Sequence, residues 1–110
     1  MDAVQVLCID NSELADFEAI NRGYREDIYV KISDLYYHLN IYDIVRLKQD
    51  FESELEDYGA FSSDPNLVIV KEVNRTEIIK LANHLYKQKY FNEIKPVENS
   101  KIKQLELINI

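Results

Sequence analysis

The chain predicts a two-layer α+β domain: a mixed or largely antiparallel sheet of about four strands, with two main helices on one face. Three observations carry this. Val4–Ile9 and Leu67–Val70 are short, β-branched apolar runs of strand length. Asp27–Ile41 alternates apolar and polar side chains with a period of two. Two further stretches, opening at Asp43 and Asn74, repeat apolar residues at three- and four-residue steps behind helix-capping side chains. The order reads β(α)β–α–β–α–β. At 110 residues it makes one domain, 1–110, around a single core.

Val4–Ile9 stops at Asp10–Asn11–Ser12 and is expected to be buried on both faces. From Ser12 to Asn21, Leu14, Phe17 and Ile20 suit a short helix, with Gly23 as its stop. Alternation through Phe17 and Ala19 also allows an extended segment. In Asp27–Ile41 the apolar set Ile28, Val30, Ile32 gives way, beyond Ser33–Asp34, to Leu35, Tyr37, Leu39 and Ile41. The parity flips, and an uninterrupted strand would send the second set to the wrong face. A β-bulge at Ser33–Asp34 in one long strand, or two strands closely joined there, restores the face. A tight hairpin is the disfavoured alternative, because Ser-Asp is not a preferred two-residue turn.

Asp43–Gly59 is the clearest helix, with Asp43 as N-cap and Gly59 suited to the left-handed position after the last turn. Ile44, Leu47, Phe51, Leu55 and Tyr58 form one apolar stripe, and the first four are expected in the core. Asp50 and Asp57 fall on one flank of the stripe and Glu52 and Glu56 on the other. The like-charged pair Glu52/Glu56 and the acids at the negative helix end gain nothing locally. After a loop with the turn signal Asp64–Pro65–Asn66, Leu67–Val70, prolonged through Val73, reads as a central strand. Asn74 and Glu77 then open a helix whose buried stripe is Ile78, Leu81, Ala82 and Leu85, ending near Tyr90. Pro96 lies in a linker, and Lys101–Ile110 reads as a last strand, with a helix turn beginning in Ile102–Leu105 as the alternative.

Charge is unevenly spread. Residues 1–60 carry fourteen acids and five bases, a balance of −9, whereas residues 61–110 carry +2, giving −7 overall. Such a chain repels nucleic acid and anionic membranes and attracts basic surfaces. No stretch approaches the roughly 20 apolar residues of a membrane span, and the first residues lack the pattern of a signal peptide. Cys8 is alone and reads as a small buried hydrophobe. A cytoplasmic location is expected.

Catalytic patterns are missing. His38 and His84 have no Cys or His neighbour at metal-ligand spacing, and Gly23 and Gly59 make no phosphate-cradling loop. His38 falls on the strand parity opposite to the core. The expectation is a protein that is not an enzyme and needs neither cofactor nor metal. Six of the eight tyrosines lie in the acidic half, and tyrosine gives large contact area at low entropic cost. Tyr37 and Tyr58 fall on core positions, leaving Tyr29, Tyr36 and Tyr42 for the surface. The candidate partner-binding residues are therefore Asp50, Glu52, Glu56, Asp57, Tyr29, Tyr36 and Tyr42.

The segments DIYVKISDLYYHLNIYDIVRLKQDF and PNLVIVKEVNRTEIIKLANHLYKQKYF resemble, in pattern, size and acidity, small α+β immunity proteins of bacterial polymorphic-toxin and contact-dependent growth inhibition systems. The resemblance spans residues 27–91. It implies a non-catalytic cytoplasmic protein that neutralises a cognate toxin domain with a basic surface, often a nuclease, and that is a monomer or weak dimer when free. Two other readings stay open: an interaction or assembly subunit pairing through an edge strand, and an acidic mimic of nucleic acid.

Overall fold

A computed structural model describes residues 4–61, 65–98 and 104–108. The elements are β1 (Gln5–Cys8), α1 (Glu13–Arg22), β2 (Tyr24–Ile32), β3 (Leu35–Tyr42), α2 (Ile44–Tyr58), β4 (Leu67–Ile69), α3 (Arg75–Lys87), a 3-10 turn (Tyr90–Asn92) and β5 (Glu106–Leu107). They form a two-layer α+β domain on a mixed, mostly antiparallel sheet of five strands, ordered β4-β3-β2-β1-β5. Only β3 and β4 run parallel.

The parity flip at Ser33–Asp34 comes from a hairpin, not from a bulged strand. Ile32 pairs with Leu35, Lys31 with Tyr36 and Val30 with Tyr37, so even positions of β2 face the same way as odd positions of β3. Ser33 supplies the positive backbone angle the tight turn requires, at φ 56°. A register shift does occur, but between Arg25 and Ile28 in β2. The extra residue there turns Arg25 and Asp27 toward each other, with Arg25 Nε 2.8 Å from the Asp27 carboxylate.

Val6 and Cys8 of β1, Ile28 and Val30 of β2, Tyr37, Leu39 and Ile41 of β3 and Val68 of β4 share one buried face. Ile78, Ala82 and Leu85 of α3 close over it, with Leu81 partly buried, and Ala19 of α1, Val70, Val73, Phe91 and Ile108 complete the core. β1 is buried on this face only; Gln5 is exposed and Leu7 half-buried on the other. β4 is an edge strand rather than a central one. Its apolar run is explained by Val68, Val70 and Val73 packing under α3. The tail contributes β5, a two-residue edge strand on β1, while residues 101–103 and 109–110 of that predicted strand lie outside the described residues, as does Asp64 of the predicted turn.

The predicted caps are in place. Ser12, Asp43 and Asn74 each accept a hydrogen bond from a backbone N–H in the first turn of the following helix, and Gly23 and Gly59 take left-handed angles after α1 and α2. Arg25, 3% exposed, ties the layers together. It donates to Asp16 of α1 and to the Asp10 carbonyl at 2.8 and 2.6 Å, and Arg75 at the start of α3 reaches the other Asp16 oxygen at 2.6 Å.

One expectation fails outright. α2 contributes no buried residue, so Ile44, Leu47, Phe51 and Leu55 are not core. The chain is correspondingly extended, 45 × 31 × 27 Å, with a radius of gyration of 14.3 Å against about 13 Å expected for this length.

Candidate binding surface

The position of α2 is fixed at its first turn. The Asp43 amide donates to the Gly23 carbonyl at 2.8 Å, so the start of α2 is pinned to the end of α1. A Cβ at Gly23 would lie 2.8 Å from both Asp43 carboxylate oxygens and 2.9 Å from Arg46 Cβ. No side chain fits there. Above this point the Arg46 guanidinium lies 4.7 Å from the Tyr24 ring centre, and Tyr24 stacks on Tyr42 with centres 5.7 Å apart. Asp50 pairs with Arg46 at 3.1 Å from Nε, an ion pair lacking the alignment of a hydrogen bond.

These contacts select the face of α2 that meets the domain. Its half-buried residues are Arg46, Leu47, Asp50 and Glu54, which cluster on one side at about 100° per residue. The apolar stripe lies roughly a quarter-turn away and faces solvent. Ile44 is 62% exposed, Phe51 44%, Leu55 40% and Tyr58 80%. Phe51 meets the ring of Phe61, edge-on at 5.4 Å. An amphipathic helix ordinarily hides such a stripe. Here it is displayed.

Carboxylates flank the display. Glu52, Glu56 and Asp57 are exposed, and Glu52 makes a loose contact with Lys48 at 4.0 Å. No basic residue lies in the last turn. Asp50 is half-buried and engaged with Arg46, so of the four predicted acids it is the one held inside the domain's own contacts.

The three predicted tyrosines are elsewhere. Tyr29 and Tyr36 lie on the sheet face opposite the core, where Tyr29 packs against His38 with ring centres 4.9 Å apart and Lys31 lies over Tyr36 at 5.6 Å. Tyr42 lies on the same face at its α2 end. Burial and the nearby Asp50 and Glu26 carboxylates raise its hydroxyl pKa above the ordinary value. Tyr42 and Asp50 thus come together, while Tyr29 and Tyr36 form a separate surface. Tyr37 is buried in the core, but Tyr58, predicted there, is the most exposed apolar residue of the stripe.

Sequence reasoning therefore missed Ile44, Phe51, Leu55 and Tyr58 as surface residues. The available signal was the crowding of acids on both sides of the stripe, which a buried helix would not favour.

Among the described residues no group of three or more His, Cys, Asp or Glu side chains is placed to hold a metal ion. His38 is held on both ring nitrogens, donating from Nε2 to the Glu26 carbonyl and accepting at Nδ1 from the Asn66 amide at 3.3 Å. Cys8 is buried, and desolvation pushes its thiol up to about 11. A shallow cleft of about 460 Å³ is lined by Tyr37, Tyr86 and Phe91 with Lys87 and Lys89. No helix of the described residues is long and apolar enough to cross a membrane. Compared with family models, curated proteins and solved structures, the chain matches none.

Proposed function

We propose that this chain is a non-catalytic immunity protein that acts in the cytoplasm, binding a cognate bacterial toxin domain of the nuclease type through α2. The observation that carries the reading is the outward stripe Ile44–Phe51–Leu55–Tyr58 set between the exposed carboxylates Glu52, Glu56 and Asp57, for which the described residues supply one loose pair, Lys48–Glu52 at 4.0 Å. A surface of this kind suits a partner with an apolar ridge flanked by Lys and Arg. Nuclease substrate sites are basic because phosphate binding requires it. The charges would speed encounter and select the partner, and the apolar anchors would hold it.

The arrangement speaks against a nucleic-acid mimic. A mimic presents carboxylates at phosphate-like intervals over a long surface, whereas here Glu52, Glu56 and Asp57 are confined to one helix and interleaved with apolar side chains. The test is co-expression with nuclease-type toxin domains sought in the neighbouring reading frames. A one-to-one complex and loss of toxicity are expected, with an association rate that falls as salt rises. A toxin domain that stays fully active beside excess protein would overturn the proposal.

A further inference from the structure

Where the end of the β2–β3 hairpin meets the C-terminal end of α3 and the 3-10 turn, the surface runs against the charge of the chain. The cleft of about 460 Å³ at this junction is lined by Tyr37, Tyr86, Phe91 and Asn92 with Lys87 and Lys89. Its volume falls within the range of about 300–1,000 Å³ typical of small-molecule sites. Tyr37 and Phe91 are buried, with ring centres 5.1 Å apart, and make an apolar floor beside the half-buried Tyr86. Lys87, Lys89 and Asn92 are exposed and stand at the mouth. In a chain of net charge −7, the described residues that line this cleft bring two ammonium groups and no carboxylate. Nor do the described residues supply either ammonium with an ion-pair partner.

The helix alone explains Lys87, since a cation in the last turn complements the negative end of α3. Lys89 is different. It takes left-handed angles, φ 61° and ψ 27°, just beyond the Gln88 cap. After α1 and α2 the left-handed position belongs to Gly23 and Gly59, which lack a Cβ and adopt it freely. A lysine in that conformation costs stability that a glycine would spare. Backbone strain of this kind collects at ligand sites. Ending the helix does not call for an ammonium at position 89, whereas an anion in the cleft does.

We infer that this cleft binds a small aromatic anion. The rings of Tyr37, Tyr86 and Phe91 pack against its flat apolar body. The two lysines neutralise its anionic group, and the Asn92 side-chain amide adds hydrogen-bond donors. Charge selects the class: a cationic ligand meets two ammonium groups here, and a neutral ring leaves both of them unused. Aromatic carboxylates and aromatic phosphates share this chemistry. The cleft has no residue in common with α2, so the inference is independent of the toxin-binding proposal.

Titration with naphthoate, naphthyl phosphate and naphthylmethanol, followed by the amide chemical shifts of the protein, tests it. The three probes share one ring system and differ in charge. At least one anion should bind with a Kd below about 1 mM, moving the amides of Tyr37 and of residues 86–92. The neutral alcohol should bind at least about tenfold more weakly, and the tighter of the two anions assigns the head group. Lys87→Gln combined with Lys89→Gly should weaken that anion at least about tenfold. Glycine relieves the left-handed strain at position 89, so the double variant should stay folded, which urea unfolding checks. If it does not fold, Lys87→Gln alone should still weaken the anion about threefold. No binding of either anion, shifts confined to another surface, an alcohol that binds as tightly as the anions, or a folded variant that binds the anion unchanged would each overturn the inference.

Discussion

Arg25 is the residue on which the layers depend. Burial works against its charge, and the hydrogen bonds it donates to Asp27 and Asp16 more than compensate, so its pKa lies above the ordinary arginine value. Replacing it with Met removes the guanidinium from two carboxylates, each about a quarter exposed, and leaves Asp16 to Arg75 and Asp27 to the Ile9 and Asp10 amides. A loss of about 3 kcal/mol in urea unfolding is expected, the low end for a broken buried pair. Cys8 offers a second check. With its side chain buried and its thiol pushed up to about 11, it should not react with a disulfide reagent at pH 8 until the protein unfolds. Alkaline titration offers a third. Burial raises the hydroxyl pKa of Tyr90, and burial with Asp50 and Glu26 raises that of Tyr42. The neutral forms are thus favoured in the folded state. Their contribution is present below the unfolded value near 10 and is lost as pH rises through the folded values, so stability should fall above pH 10 and Tyr42→Phe should flatten that fall.

At the level of elements, the sequence reveals where helices begin and end better than which way they face. Ser12, Asp43 and Asn74 cap locally, and Gly23 and Gly59 stop locally, so their roles are legible without the fold. Apolar period states only that α2 has a stripe. The side that docks is decided by Gly23 and Tyr24, which are twenty residues away and bring Arg46 and Asp50 inward. α1 behaves alike: Ala19 is buried, while Leu14 and Phe17, which suggested the helix, are over 60% exposed. The hairpin was obscured for a different reason, since parity alone does not separate a bulge from a two-residue turn. Stability measurements distinguish displayed from buried stripes. Ile44→Ala in α2 should cost less than about 1 kcal/mol, whereas Ile78→Ala in α3 should cost about 2–5 kcal/mol. Gly23→Ala, with no room for its Cβ and a φ of 78°, should cost more than the usual helix-stop substitution of about 1 kcal/mol.

For the whole molecule, two surfaces of different chemistry divide the exterior. α2 displays Ile44, Phe51, Leu55 and Tyr58 between carboxylates, and the far side of the sheet carries Leu7, Tyr29, Tyr36 and Leu107. The sequence foretold the acids of α2 and the surface position of Tyr29 and Tyr36, but grouped them as one site, because strand parity and helix phase do not say how far apart two faces lie. Under the proposed function, reversing charge with Glu52→Lys and Glu56→Lys should slow toxin association several-fold at low salt. The most direct measurement is the affinity of Leu55→Asp for the toxin domain, taken beside its unfolding free energy. Binding should weaken at least about a hundredfold while stability changes by less than about 1 kcal/mol. Unchanged binding with several kcal/mol of lost stability would show instead that the α2 stripe belongs to the core.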